Sequence, residues 1–535
     1  MRIATLLLVA TMLQAQAYAQ QPRLVILIAV DQLRSDRLTT ELPGGLGDLS
    51  RNGRMFSNAM LDHSATSTCP GHAVMLTGVN PSRNGIGGNE YFDRQSWQTR
   101  YCVEDPEHPV IGGTEGRSPK RLQATTLGDW MKAADPTARV FTLAAKDRAA
   151  ITLGGQHSDA SFWLDRETGQ FTSSSYYLES LPGWLKSFNG GNSNQPAWLQ
   201  GLPGEWTHPA LGPRPDSFEF ESDEFERISP HPLNSGDLED RVNQIYASPY
   251  IDQVVTSLAI ELISQEGLGE DDTTDLLALS YAATDTVGHL YGPHSSESMD
   301  TLRRLDVEIE RLLQALDDHV GLDNILIVLT SDHGVLPIPE DASSATASAP
   351  ACLAERTNAI ELIFSLWWEV YWSYTAPFTG PWNLVNFAES QLYINHSLAR
   401  ELGTTPEQII ADLEGLLEAQ PAIHAAWTAD ELRQSTHEHA RLIRNSLAPP
   451  NVGDLYLQTA EGCLVGGDTG TSHGSLYEYD RHVPLVFFGA GISPGVTSEP
   501  AATIDIAPTL APMINVPRPA GLQGKRLVLS PLEAQ

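Results

Sequence analysis

The chain is expected to fold as an α/β protein, with a central, mostly parallel sheet flanked by helices and two large insertions forming a cap. Two observations predict this. The apolar runs Leu24–Val30, Leu276–Tyr281 and Ile325–Leu329 are unbroken, as in strands buried on both faces of a parallel sheet. Between the last two lies an amphipathic helix over Asp300–Leu322. Its stripe is Leu302, Leu305, Ile309, Leu312, Leu313 and Leu316, and it reads as a crossover.

The elements follow in chain order. Arg2, the apolar run Ile3–Leu13 and Ala17-Tyr18-Ala19 have the form of a signal peptide over residues 1–19. A periplasmic or secreted protein is therefore expected, with a catalytic domain over 20–535. The first buried strand ends at Asp31. Residues about 90–245 are rich in Gly, Ser, Pro and Trp and read as the first insertion, and about 340–465 as the second. Ile360–Tyr374 is strongly apolar, yet it is short and carries Glu361 and Glu369. It reads as a buried or pocket-covering helix, and no membrane anchor is expected. Val483–Phe488 is a further core strand, and a last helix begins near Thr503.

Charge excludes one class of partner. With 67 acids against 33 bases the net charge is −34, and no basic stripe is present. Binding of nucleic acid polymers is not expected. An anionic substrate would need local positive charge, from metals and a few bases. Lysine is scarce, so Lys146 in Lys146-Asp147-Arg148 is informative. Read as a strand, that segment would point both bases the same way. Cys69, Cys102, Cys352 and Cys463 allow three pairings in an oxidising compartment, and sequence does not choose among them.

Each of the three buried strands delivers metal-ligand residues at its carboxyl end, where ligands bind in such sheets. They are Asp31, the pair Asp285 and His289, and the pair Asp332 and His333; His473 lies in a later Gly/Ser/Thr loop. Six such residues suit two divalent cations, with zinc favoured by the mixture of carboxylate and imidazole. In Thr68-Cys69-Pro70-Gly71-His72 a hydroxyl stands where a helix should begin. Thr68 could be only a helix cap, and Ser64, Thr66 and Ser67 are rival hydroxyls. Cys69 invites a cysteine nucleophile or a sulfatase-type converted cysteine. The latter requires Cys-x-Pro-x-Arg, which is absent here. Together these residues predict an enzyme that moves a phosphoryl group through a threonine.

These motifs resemble the alkaline phosphatase superfamily, and within it the secreted, single-chain, threonine-nucleophile bacterial phosphatases of the phosphate-insensitive type. The matching elements are Asp31, Thr68 to His72, Asn89 within Gly87–Asp93, Lys146 with Arg148, Asp285 to Pro293, Ser331 to Gly334, and Ser472-His473-Gly474. The resemblance implies two zinc ions. One is held by Asp285, His289 and His473, the other by Asp31, Asp332 and His333 with Thr68 as its reactive ligand. It also implies that Asn89, Lys146 and Arg148 bind the phosphoryl oxygens. The function so implied is hydrolysis of phosphate monoesters, with a phosphothreonine intermediate, by a monomer. A phosphodiesterase or nucleotide pyrophosphatase of the same superfamily is the alternative, followed by a non-catalytic, metal-dependent phosphate-binding protein.

Overall fold

In the computed structural model, which describes residues 21–191, 195–211, 214–341, 352, 356–374 and 380–530, the run Leu24–Val30 forms β1, the middle strand of a nine-stranded sheet. The expected signal peptide lies outside the described residues. The other strands are β2 (Arg54–Phe56), β3 (Val140–Ala144), β4 (Ala160–Asp165), β5 (Gln170–Thr172), β6 (Asp275–Tyr281), β7 (Ile325–Thr330), β8 (Leu485–Gly489) and β9 (Gly495–Thr497). Their spatial order is β5-β4-β3-β6-β1-β7-β8-β2-β9. Strands β4, β3, β6, β1 and β7 are parallel neighbours, and β8 runs against β7.

Every residue of β1 is buried. Leu24, Ile26, Ile28 and Val30 enter one core, and Val25, Leu27 and Ala29 enter the other, on the opposite face. A strand with helices on both sides has no polar face to alternate with, which explains the continuous apolar run. Val30 pairs with Tyr281 and Ala29 with Thr330, so the carboxyl ends of the central strands lie level.

Five helices matter to the site: α1 (Thr68–Thr77), α2 (Asp147–Gly154), α3 (Ala283–Tyr291), α4 (Ser296–His319) and α5 (Ala359–Tyr374). The crossover helix α4 buries Leu302, Leu305, Ile309, Leu312, Leu313 and Leu316, as its periodicity required. Asp306 on the same helix is structural, accepting the backbone N–H groups of Gly44 and Gly47.

Two sequence readings change. The stretch 90–245 is not wholly an excursion, because β3, β4 and β5 come from within it and extend the central sheet. Ile360–Tyr374 is helical but only one stripe of it, Leu362, Leu366 and Val370, is buried. Ile360, Phe364, Trp368 and Trp372 on the other face are all more than 60 % exposed. The buried stripe packs on a separate four-stranded antiparallel sheet made of Val385–Ala388, Gln391–Ile394, Leu455–Thr459 and Ile423–Thr428. Among the described residues no helix is long and apolar enough to cross a membrane.

The cysteines pair Cys69 with Cys102 and Cys352 with Cys463. Cys69 is therefore no free thiol, which removes it as a nucleophile. The first bridge ties the start of α1 to the segment beside Tyr101.

Candidate active site

Four adjacent parallel strands, β3, β6, β1 and β7, lead at their carboxyl ends to Lys146, Asp285, Asp31 and Asp332. Asp285 and His289 lie one turn apart on α3, so both side chains leave the same helix face. His289 Nε2 is 3.2 Å from Asp285 Oδ1, and His473 Nε2 is 3.7 Å from the same oxygen. On the other side, His333 Nε2 is 3.5 Å from Asp31 Oδ1 and 3.4 Å from Asp332 Oδ2. The ring centroids of His333 and His473 are 3.7 Å apart, which joins the two groups into one cluster.

The donor set fits metal ions. Ligand atoms around a tetrahedral zinc with bonds near 2.0–2.1 Å stand about 3.3 Å apart, close to these separations. Each of the three histidines has its Nδ1 on a backbone carbonyl: His289 on Thr471 at 2.8 Å, His333 on Gly334 at 2.9 Å and His473 on Thr66 at 2.6 Å. That fixes the tautomer and turns Nε2 toward the cluster as an open lone pair. Asp31 Oδ1, Asp332 Oδ2 and His333 Nε2 are buried without a hydrogen-bond partner. Three carboxylates face the single ammonium of Lys146, an imbalance that burial makes costly and that cations relieve. Burial, reinforced by Asp285 and Asp332, pushes the Asp31 carboxyl well above its usual range. Burial and the neighbouring His333 and His289 rings hold His473 well below the ordinary imidazole value, which keeps it neutral.

His72 is not a ligand, although it lies beside Asp332. Its Nδ1 is 2.9 Å from the Thr68 carbonyl and 3.2 Å from Asp332 Oδ2, and its Nε2 is 2.9 Å from Ser280 Oγ. With Nδ1 on the Thr68 carbonyl and Nε2 on Ser280, His72 fixes the start of α1 beside Asp332. Gln32 has a similar part: its backbone N–H donates to Asp332 Oδ1 at 3.1 Å and its amide to Asp285 Oδ1 at 2.8 Å. It does so from a left-handed backbone at φ 67°, strain of the kind retained at functional sites.

Thr68 is the first residue of α1, with Ser67 as the cap. The helix approaches the Asp332 loop closely, because a Cβ on Gly71 would lie 2.2 Å from the Asp332 carbonyl oxygen. Gly71→Ala is therefore expected to destabilise the fold by about 1–3 kcal/mol, as overpacking does, and to lower the bound zinc. Denaturant melts and metal analysis of the variant check this.

Three phosphate-binding candidates stand around the start of α1 and the carboxylate cluster. Arg148 Nη2 is 3.4 Å from Thr68 Oγ1. Asn89 Oδ1 accepts the Cys69 N–H at 2.8 Å, which leaves its NH₂ as the group to offer. Lys146 Nζ donates to Asp31 Oδ2 at 2.6 Å and also to Asp285. Burial opposes the charge on Lys146, but the Asp285 and Asp31 carboxylates more than offset it and hold the ammonium protonated. The strand reading of Lys146-x-Arg148 is corrected: Lys146 caps α2 and Arg148 lies in its first turn. Both bases still reach the cluster, by a sharp turn after β3. Asp147 braces this turn, accepting from Tyr101 Oη at 2.5 Å and from Arg117 at 2.7 Å.

Glu389, from the four-stranded layer, accepts the N–H groups of Asn89 and Glu90. A cavity of about 280 Å³ opens beside His473, lined by Leu362, Leu366, Phe387 and Glu389. The apolar α5 thus borders the site with one edge.

Comparison with known proteins gives the family. Residues 25–482 match the family model for type I phosphodiesterase / nucleotide pyrophosphatase. The chain belongs to that family. The family lies within the alkaline phosphatase superfamily, as the motifs implied. Among its members, alkaline phosphatase PhoD of Zymomonas mobilis is 30% identical over 96% of this chain and 89% of its own. Alkaline phosphatase PafA of Elizabethkingia meningoseptica is 30% identical over 97% of this chain and 96% of its own. The crystal structure of wild-type PafA superposes with a TM-score of 0.86 at 27% identity, covering 95% of this chain and 99% of that one. A PafA variant altered at one threonine, one asparagine, one lysine and one arginine matches almost as well, with a TM-score of 0.85.

For this member of the family, Gln32, Ser280, Tyr101 and Glu389 are site residues that sequence reasoning missed. Each is a common polar residue with no distinguishing spacing. Only Gln32, adjacent to Asp31, offered any signal.

Proposed function

We propose that this chain is a secreted or periplasmic alkaline phosphatase, a monomer that hydrolyses phosphate monoesters through a phosphothreonine on Thr68. Asp285, His289 and His473 would hold one zinc ion, and Asp31, Asp332 and His333 the other, with Thr68 as a further ligand of the second. When bound, the two ions lower the pKa of hydroxyl groups and stabilise charge on the attacking and leaving oxygens.

The chain's own residues do the rest. Thr68 stands at a helix N-terminus, where negative charge on its oxygen is favoured. Its Oγ1 forms the bond to phosphorus as the ester's leaving oxygen departs on the opposite side. Water then breaks the phosphothreonine bond and releases phosphate. Asn89, Lys146 and Arg148 hold the equatorial oxygens, on which charge accumulates. Lys146 is bonded to Asp31 and Asp285, the carboxylates that would hold the ions, and with those carboxylates so occupied its ammonium would be free for the substrate.

The observation that carries the monoesterase reading is the approach of Arg148 to within 3.4 Å of Thr68 Oγ1, with Lys146 buried beside it. A monoester has a third free oxygen for these bases, and a diester has a substituent there. The near full-length relatives named above are called alkaline phosphatases, although the family name is that of the diesterase alternative. The four residue types altered in the PafA variant are also those of Thr68, Asn89, Lys146 and Arg148.

The test compares an aryl phosphate with the corresponding bis-aryl phosphate. The expected kcat/KM ratio favours the monoester by on the order of 10³ or more. A preference for the diester would instead establish the phosphodiesterase reading. EDTA is expected to abolish turnover, with zinc restoring it better than magnesium. No turnover on either ester with metal restored would leave the phosphate-binding protein.

A further inference from the structure

A second cluster of metal-binding groups lies behind α3, away from the catalytic cluster. His208 follows the short strand Glu205–Trp206, His231 lies in its partner strand His231–Pro232, and Glu297 is in the first turn of α4. His208 Nε2 is 3.3 Å from His231 Nε2 and 3.4 Å from Glu297 Oε1, and His231 Nε2 is 3.6 Å from the same oxygen. The three side chains are at most 2 % exposed. Asp216 Oδ1 stands at the edge of this group, 3.9 Å from His208 Nε2.

Hydrogen bonding shows what this arrangement lacks. His208 Nδ1 is 3.1 Å from the Pro209 carbonyl, and His231 Nδ1 is 3.0 Å from the Glu226 carbonyl. A carbonyl only accepts, so both rings carry their proton on Nδ1. The two Nε2 lone pairs then face one another across 3.3 Å, beside a carboxylate. Neither Glu297 oxygen has a hydrogen-bond partner, and neither has Asp216 Oδ1. The other Asp216 oxygen accepts the Ser229 N–H. A proton on one imidazole would relieve the nitrogen pair but would leave the Glu297 oxygens at 3.4 and 3.6 Å, beyond hydrogen-bond length. A cation satisfies both imidazoles and the Glu297 carboxylate at once. Their separations lie around the value of about 3.3 Å expected between ligands of a tetrahedral zinc. Two imidazoles and a carboxylate suit zinc better than magnesium or calcium, which take oxygen ligands.

We propose that His208, His231 and Glu297 form a structural zinc site, separate from the catalytic pair. The three ligand side chains are buried, at most 2 % exposed, away from any substrate. Its place explains its use. Tyr291, the last residue of α3, puts its hydroxyl 3.2 Å from His231 Nδ1 and donates to the Glu226 carbonyl at 3.0 Å. The same helix carries Asp285 and His289 toward the catalytic cluster. The site fastens the strand pair Glu205–Trp206 and His231–Pro232 to the start of α4 and braces the back of the helix that carries Asp285 and His289.

The experiment is metal analysis of the purified full chain, dialysed to constant zinc, beside Glu297→Gln and the double variant His208→Ala, His231→Ala. Each variant is expected to hold one zinc per chain fewer than the wild type. Glu297→Gln keeps the size of the side chain, so it reports even if the double variant does not fold. Zinc-edge anomalous diffraction from wild-type crystals gives the independent reading, with a peak expected between His208, His231 and Glu297. Equal zinc content in wild type and Glu297→Gln, or anomalous peaks at the catalytic cluster with none here, overturns the proposal.

Discussion

Thr68→Ala is expected to lower kcat for an aryl phosphate by on the order of 10⁴ or more, as loss of a covalent nucleophile does, while the protein keeps its fold and its zinc. The fold should survive because Thr68 is the first residue of α1, not its cap, and its hydroxyl meets Arg148 at a long 3.4 Å. Zinc should remain because six other side chains supply ligands and three of them are fixed by carbonyl bonds that Thr68 does not make. Metal analysis and single-turnover kinetics on the variant decide the matter. Thr68→Ser, which retains a hydroxyl, should recover most of the rate and should trap a phosphoserine after acid quench. Full activity in Thr68→Ala would transfer the nucleophile to Ser67 or Thr66, or to water attacking directly. Ser67 and Thr66 are poorly placed: Thr66 Oγ1 is committed to the Ser475 carbonyl at 2.7 Å, and Ser67 precedes the helix.

Much of this was legible from residue order because a parallel sheet makes its functional end predictable. Each buried run leads to a candidate ligand, and the level register of β6, β1 and β7 brings those ends together. Asp285 and His289, four apart, also read correctly as a pair, though the helix that gives the spacing its meaning was not foreseen. Thr284, Thr286, Val287 and Gly288 are poor helix formers, and packing against α4 overrides them. Lys146 and Arg148 stand out by the scarcity of lysine and do lie beside the cluster, but in a helix start, not a strand. Nothing in Ala145-Lys146-Asp147 marks where β3 stops, and an alternating pair reads as a strand. The disulfide pairs and the His208, His231 and Glu297 cluster were invisible because their members are far apart in the chain and share no periodicity. Only tertiary packing assembles them.

The double substitution Lys146→Ala with Arg148→Ala is expected to cut kcat/KM for a monoester by about 10³-fold. Each lost charge-assisted contact is worth roughly 1.5–3 kcal/mol, and the two act on the same oxygen. Diester hydrolysis, which offers those bases no free oxygen, should fall by a smaller factor when both rates are measured with zinc restored to saturation. The two bases must also be separated, because they do not stand in the same relation to the metal ligands. Lys146 is bonded to Asp31 and Asp285, so its removal leaves three buried carboxylates without their ammonium and alters the cluster itself. Arg148 touches neither carboxylate; its neighbours are Thr68 Oγ1 and Tyr101 Oη. Arg148→Ala alone should therefore lower the monoester rate with zinc content unchanged, whereas Lys146→Ala should change both. If Arg148→Ala reduces monoester and diester hydrolysis by the same factor, the guanidinium serves orientation of Thr68 and not recognition of a third oxygen. The choice of ester would then have to lie with Asn89 and the walls of the neighbouring cavity.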